Sequence, residues 1–174
     1  AQQYAELAKA MAHGQLYLEE EPPQWLQDMA DPYDKGARDE AQKETGEPYL
    51  FDVAYHDGHY YVYFGVVPVV LFYLPFYLLT GANFPTAIGV LIACVAFVLG
   101  CSALLDRFAR YHFKRVSLGL YLLLQIPLVT CCGILYLLKF PTFYSLPIML
   151  GLAFSVWGLY FWMRGRASAA RSAG

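Results

Sequence analysis

Two aspartates and two histidines lie close together just before a long apolar run of the chain, in the segment FDVAYHDGHYY. They are Asp52, His56, Asp57 and His59. An aspartate carboxylate can accept a proton during a reaction, and a histidine can exchange protons near neutral pH or bind a metal ion. These residue types could therefore support acid–base chemistry or metal binding.

The spacing of the two histidines is weak evidence for a metal site. His56 and His59 could present two imidazoles to one ion, but no third firm ligand lies in sequence range, and Gly58 indicates a loop. The alternative is that Asp57 and Gly58 make a turn and that both histidines are solvated. We predict the turn for the histidines and no metal site. For the aspartates, a solvated role and a chemical role both stay open.

The distribution of charge predicts two parts of different character. Hydrophobic residues make up 58% of the chain and charged residues 15%, well below the roughly 25% of a typical soluble domain. Residues 1–59 contain 13 of the 14 acidic residues and 4 of the 12 Lys and Arg, a net charge of −9, whereas residues 60–174 carry +7. We therefore expect an acidic, water-facing first third and a membrane-embedded remainder.

The acidic segment, 1–59, has the sequence pattern of short helices. Asp31 followed by Pro32 is a typical N-cap and first helical residue, and Gly46 would end the helix that they begin. The predicted elements are a helix within 4–18 that ends or frays at Gly14, helices over 22–30 and 32–44, and a short extended piece over 49–55.

Three later stretches are apolar over about 20 residues, the length of a membrane-spanning helix. They cover residues 86–105, 116–138 and 143–163. The second contains Gln125 shortly before Pro127, and a mid-membrane amide of this kind can bond to another helix. The loop 106–115 holds four bases, including Lys114, and the basic tail 164–174 is predicted to be flexible.

Residues 60–80 form a further apolar run, but it is interrupted. Pro68 and Pro75 each remove a backbone donor, and Gly65 and five tyrosines also argue against a straight span. The positive-inside rule does not distinguish a full span over 60–80 from a dip into the membrane, because both topologies allow the basic segments to be cytoplasmic. The local sequence favours an interfacial or re-entrant helix. The predicted fold is thus an all-α, polytopic membrane protein with three transmembrane helices; the alternative has four.

The order of these segments resembles that of a family of membrane enzymes. An acidic outer segment, a Pro-punctuated aromatic helix, a TG…PT turn and a span that ends in basic residues are similar to the first loop region of GT-C membrane glycosyltransferases. Protein O-mannosyltransferases and aminoarabinose transferases share this plan. The stretches AMAHGQLYLEEEPP, DPYD and DGHYYVYFGVVPVVLFYLPFYLLTG more closely resemble a group of bacterial multi-spanning proteins assigned to that superfamily, and the likeness covers residues 4–163.

The resemblance implies a place in the bacterial cytoplasmic membrane, with the acidic segment extracytoplasmic and the tail cytoplasmic. In that family a span precedes the acidic loop and many more spans follow. The resemblance therefore also implies that the chain is an N-terminal fragment of a longer enzyme.

The activity that the resemblance implies is transfer of a sugar from a lipid-phosphate carrier to an extracytoplasmic acceptor. This reaction needs a carboxylate that takes the acceptor's proton, and positive charge near the leaving phosphate. Asp57 and Asp52, the carboxylates nearest the apolar run, are the implied catalytic residues. The implied substrate-binding residues are His56, His59, Tyr60 and Tyr61. The implied partners are the lipid bilayer, a polyprenyl-phosphate-type sugar donor and other membrane helices, without nucleic acid; use of a divalent metal stays open.

A function of a different class also fits the charge distribution. The chain could be a small non-enzymatic membrane subunit whose acidic outer segment binds a partner protein. A transporter fragment is less favoured, because the predicted spans have no ionisable residue near their middles.

Overall fold

A computed structural model describes the backbone of residues 2–113 and 115–172, and side chains over 3–113 and 115–165. The chain divides into two compact units, Ala1–Phe84 and Pro85–Gly174. The apolar run 60–80 therefore belongs to the same unit as the acidic segment.

The first unit contains four helices and one hairpin. These elements are α1 (Gln2–Ala12), α2 (Gln24–Gln27), α3 (Lys35–Thr45), β1 (Val53–His56), β2 (His59–Val62) and α4 (Val69–Thr80), whose first half, Val69–Tyr73, is a π-helix. The chain is mostly helical, as predicted, and the hairpin corrects the all-α assignment.

The hairpin forms because aromatic and β-branched residues flank a strong turn sequence. The strands are antiparallel, with His56 opposite His59 and Val53 opposite Val62. Asp57 and Gly58 form the turn, with φ of 46° and 76°. Two successive positive φ angles are typical of the tight hairpin turns that favour Asp-Gly. The predicted turn is confirmed. The predicted extended piece 49–55 overlaps β1 in part, whereas β2 was not predicted, because 60–80 was interpreted as one helical segment.

Helix α3 begins later than predicted because a different aspartate caps it. The Oδ1 atom of Asp34 accepts hydrogen bonds from the backbone N–H groups of Gly36 (2.8 Å) and Ala37 (3.3 Å). Asp31 instead accepts from the N–H of Tyr33 at 2.9 Å, which makes a separate turn before the helix. Gly46, with φ of 72°, ends the helix as predicted.

The core of the first unit lies between α1, β2 and α4. Tyr4 and Leu7 of α1 are buried, and the Tyr4 ring packs against the Tyr73 ring of α4 with centroids 5.6 Å apart. The backbone N–H of Leu18 donates to the carbonyl of Tyr60 at 2.8 Å, which joins the segment after α1 to the hairpin. Helix α1 ends at Ala12, close to the predicted end at Gly14, whose φ is 83°. The predicted helix 22–30 is shorter than expected and is reduced to the four residues of α2.

Helix α4 occupies only the second half of the predicted 60–80 segment, since the strand β2 continues to Val62. Its π-helical and α-helical parts contain five and seven residues, respectively. At about 1.5 Å per residue, a helix of this size covers about 18 Å, less than the roughly 30 Å of a bilayer's hydrocarbon core. Pro75 cannot donate the usual backbone hydrogen bond, and the wider π turn lies directly before it.

The second unit consists of helices. They are α5 (Thr86–His112), α6 (Leu118–Thr130), α7 (Ile134–Lys139) and α8 (Ser145–Ser172). The predicted flexible tail, 164–174, continues the backbone of α8 as far as Ser172, and residues 173 and 174 lie outside the described part.

Helices α5 and α8 pack against each other through a close contact at Gly100. The indole Nε1–H of Trp157 donates to the carbonyl of Ala96 at 2.9 Å. A Cβ atom at Gly100 would lie 3.0 Å from both Trp157 Nε1 and Val156 Cγ1. The glycine therefore allows the two helices to approach closely.

Within the described residues, two helices are long and apolar enough to cross a membrane: Thr86–His112, and Ser145–Gly165 of α8. In the most apolar 18-residue stretch of each helix, only 39% and 22%, respectively, is buried. Most of these apolar stretches are therefore not covered by other parts of the described structure. Core helices of soluble proteins bury such surface, whereas transmembrane helices present it to lipid. They correspond to the predicted stretches 86–105 and 143–163.

The stretch 116–138, predicted as one helix, is interrupted between α6 and α7. Gly133, with φ of 73°, immediately precedes α7 and breaks the helical path. The predicted bond from Gln125 to another helix is present: its Nε2 donates to Ser102 Oγ of α5 at 2.7 Å. All four cysteines are free thiols, and those of α5, Cys94 and Cys101, are buried among apolar residues.

Candidate functional site

The turn of the hairpin places Asp57 and His56 in solvent. Their side chains are 85% and 75% exposed, and His56 Nε2 lies 3.3 Å from Asp57 Oδ2. An ion pair with this exposure contributes little to stability. The observed geometry agrees with the turn interpretation of HDGH, and a chemical role for Asp57 stays a prediction.

His59 and Tyr61 lie beside the segment after α1. The imidazole of His59 stacks on the Tyr17 ring, with centroids 3.9 Å apart, and Tyr61 meets the same ring edge-on at 6.3 Å. His59 lines a shallow cleft with the acidic run Glu19–Glu21. Among the described residues, no group of three or more His, Cys, Asp or Glu side chains is arranged to hold a metal ion.

Tyr60 is a core residue. It is 1% exposed, and its ring meets the Tyr55 ring edge-on at 6.3 Å. Burial raises the pKa of the Tyr60 hydroxyl, against a smaller opposing effect of the Leu50 backbone. Its observed role is packing in the core from strand β2, and its contact with substrate stays a prediction.

Asp52, one of the two predicted catalytic residues, lines a cleft of the first unit that contains acidic, basic and aromatic side chains. This cleft has a volume of about 310 Å³, and Asp52 adopts the left-handed backbone conformation, with φ of 57°, at its edge. We call it the Asp52 cleft. Its lining residues are Tyr33, Lys35, Arg38, Tyr49, Phe51, Asp52, Val53, Ala54 and Tyr63.

Arg38 is a cation in the cleft wall that was not predicted as a site residue. Its guanidinium carbon lies 5.3 Å from the ring centroid of Tyr33 and 5.1 Å from that of Tyr49. These distances are typical of cation–π contacts. The Nε atom of Arg38 is buried and has no hydrogen-bond partner among the described residues. Lys35 adds a second positive charge three residues earlier on α3.

Tyr33 connects this wall to the hairpin. Its hydroxyl donates to the carbonyl of Tyr55 at 2.8 Å and accepts from the N–H of Tyr55 at 2.9 Å. Tyr49 is held in turn by Trp25, whose ring meets it edge-on at 5.8 Å. The aromatic rings that contact Arg38 are thus fixed by β1 and α2.

The cleft combines two cations, aromatic faces and one carboxylate. Guanidinium and ammonium groups bind phosphate or carboxylate oxygens, and aromatic faces pack against the apolar face of a ring. A carboxylate beside such a ligand can accept a proton from a hydroxyl or amine. The only sequence signal for the cations was their three-residue spacing on the first turns of α3, which places Lys35 and Arg38 on one side of that helix.

Comparison with known proteins finds no family model, no curated protein and no solved structure that matches this chain. The residues and geometry of the two units are therefore the basis for inferring a function.

Proposed function

We propose that the chain is part of a GT-C-type membrane glycosyltransferase, which transfers a sugar from a lipid-phosphate carrier to an extracytoplasmic acceptor. The observation that carries the proposal is the Asp52 cleft, where one carboxylate lies with two cations and several aromatic rings. The two helices long and apolar enough to cross a membrane support the location. The resemblance of residues 4–163 to the bacterial group supports the reaction type.

In the proposed reaction, Asp52 takes the proton of the acceptor's hydroxyl or amine as that group attacks the anomeric carbon. A new bond forms between acceptor and sugar, and the bond between the sugar and the carrier phosphate breaks. The electron pair of the broken bond leaves with the phosphate, whose added negative charge is stabilised by Arg38 and Lys35. The aromatic rings of Tyr33 and Tyr49 hold the Arg38 guanidinium in the cleft wall.

The first unit also offers a surface that suits a lipid-linked donor. Helix α4 exposes large apolar side chains, including Leu78 (65% exposed) and Leu79 (86%). A short helix with this exposure is stabilised when its apolar side rests in the interfacial region of a bilayer. We therefore propose α4 as an interfacial or re-entrant helix. A third span over 116–138 would comprise α6, the break at Gly133 and α7, since α6 alone has only 13 residues.

Cysteine labelling tests this topology. In a background without the four native cysteines, Lys35→Cys and Arg171→Cys should react with a membrane-impermeant maleimide from opposite faces of the membrane. Arg171 lies outside the described side chains, and the test depends only on its position in the sequence. Labelling of both positions from the same face would replace the dip with a fourth span.

A binding experiment tests the Asp52 cleft without knowledge of the sugar. The purified chain in detergent should bind a polyprenyl phosphate more tightly than the matching polyprenol, because only the phosphate can engage Arg38 and Lys35. Arg38→Gln should remove most of this preference, whereas Lys43→Gln, which neutralises a cation of α3 outside the cleft lining, should retain it. Equal affinity for the two lipids, or an unchanged preference in Arg38→Gln, would refute this use of the cleft.

A second function, a non-enzymatic subunit that binds a partner protein, is favoured by α3. None of the residues of α3 is buried, although the helix is 11 residues long and well capped. Such a helix offers an open charged surface to a partner. If this function is correct, a partner protein should co-purify with the wild type and with Asp52→Asn. The same partner should be lost after charge reversal at Asp39 and Glu40. This pattern would support the subunit over the enzyme.

A further inference from the structure

A second cleft lies in the other unit, where α5 ends and α6 begins. It has a volume of about 410 Å³ and is formed by residues of one continuous segment. Its lining residues are Asp106, Ala109, Arg110, Phe113, Arg115, Val116, Leu118 and Tyr121. We call it the Arg115 cleft. It shares no residue with the Asp52 cleft, so a ligand bound here requires α5 to lie in a membrane but does not require the proposed sugar transfer.

The charged side of the Arg115 cleft has an excess of positive charge. Two arginines, Arg110 and Arg115, line it with a single acid, Asp106, and Arg107 lies on the same segment outside the lining. The Nε of Arg110 donates to both carboxylate oxygens of Asp106 at 2.9 Å, which leaves the terminal nitrogens of Arg110 for another acceptor. The Nε of Arg107 is buried and has no hydrogen-bond partner among the described residues. Lys114, which the sequence adds to this loop, lies outside them.

The other side of the cleft is apolar and open. Phe113 is 57% exposed and Leu118 73% exposed, and both line the cleft with Val116. The cleft follows directly on the apolar part of α5, a candidate membrane span. If α5 spans a bilayer, the end of its apolar part lies at the level of the lipid headgroups.

We propose that the Arg115 cleft binds an acidic phospholipid. The phosphate would bind Arg115 and the terminal nitrogens of Arg110, and the upper part of an acyl chain would pack on Phe113 and Leu118. A ligand with an anionic head and an apolar chain matches both sides of the cleft, whereas free phosphate matches only the charged side. Asp106 competes with the lipid for Arg110 and so limits its affinity.

Native mass spectrometry of the detergent-solubilised chain can test this with phosphatidylglycerol, phosphatidylcholine and inorganic phosphate as probes. The wild type should retain phosphatidylglycerol in preference to phosphatidylcholine. Arg115→Gln should weaken phosphatidylglycerol binding about fivefold, the effect expected for one basic residue at a membrane surface. Arg164→Gln makes the same charge change outside the cleft and should have a smaller effect than Arg115→Gln.

Asp106→Asn provides a test of the opposite sign. It releases Arg110 from its carboxylate partner, so retention of phosphatidylglycerol should increase. Equal retention of the two lipids, equal losses in Arg115→Gln and Arg164→Gln, or weaker binding in Asp106→Asn would each overturn the proposal. Displacement of the lipid by inorganic phosphate at low millimolar concentration would also overturn it, because it would identify a site for free phosphate.

Discussion

The hydroxyl of Tyr33 is expected to hold the hairpin in place beside the Asp52 cleft. It makes two hydrogen bonds to the backbone of Tyr55, at 2.8 Å and 2.9 Å. Among the described residues, the strand that holds Tyr55 pairs with β2 in a two-stranded sheet. A two-stranded hairpin has little stability of its own. Tyr33→Phe removes both bonds and keeps the ring that contacts Arg38.

The size of the effect follows from the two lost hydrogen bonds. Each is worth about 0.5–1.5 kcal/mol in net terms. Because Tyr33 is 59% exposed, water can replace part of this interaction, and we expect a loss of about 1–2 kcal/mol in the free energy of local opening. This corresponds to about 5–30-fold faster exchange of the hairpin amides.

Hydrogen–deuterium exchange of the full chain in detergent, followed on peptides that cover 53–62, measures this opening directly. Tyr63→Phe is the matched control, because Tyr63 also lines the cleft but its hydroxyl has no hydrogen bond to the described residues. Exchange should be faster in Tyr33→Phe and unchanged in Tyr63→Phe. Equal exchange in Tyr33→Phe and wild type would refute the view that this hydroxyl secures β1.

Three further predictions concern packing, capping and pH. Gly100→Leu should destabilise the α5–α8 contact by about 1–3 kcal/mol, because a Cβ at this position would meet Trp157 at 3.0 Å; lower thermal stability in detergent would show it, and unchanged stability would contradict it. Asp34→Ala should destabilise α3 by about 1 kcal/mol through loss of its N-cap, with faster amide exchange over 35–45 than in Asp39→Ala. Burial raises the pKa of Tyr4 to about 12, so the wild type should lose stability as the pH rises from about 10 to 12, a loss that Tyr4→Phe should reduce in unfolding measured across this range.

Features that depend on local sequence were predicted well. The turn at Asp57–Gly58 and the end of α3 at Gly46 follow from the positive φ angles that these residue types tolerate. The helices at 86–105 and 143–163 follow from long apolar runs. These signals need no knowledge of distant contacts.

Features that depend on choices between similar residues were predicted less well. Asp31 and Asp34 are both good caps, and the sequence alone does not show that Asp31 is used by the turn at Tyr33. The strands of the hairpin have four residues each, too few for a clear alternating pattern. The break before α7 depends on Gly133, which an apolar helix can also tolerate.

The Asp52 cleft could be predicted only in part. Asp52 was a candidate because of its place before the apolar run, but Arg38 and Tyr49 come together only when α3 and the following loop fold against the hairpin. Contacts of this kind depend on tertiary packing. For the same reason Asp52 and Asp57 were equal candidates in the sequence, although Asp52 lines a cleft and Asp57 lies in an exposed turn.

The central claim is that Asp52 takes the proton of the acceptor. The most direct test measures sugar transfer by membranes that contain the complete native gene product and compares Asp52→Asn with Asp57→Asn. Both aspartates have positive φ, which asparagine tolerates, so each variant removes the charge and keeps the backbone conformation. If Asp52 takes the acceptor's proton, Asp52→Asn should lower the transfer rate by about 10²–10⁴-fold, whereas Asp57→Asn should retain most of it. Full sugar transfer by Asp52→Asn would contradict the account.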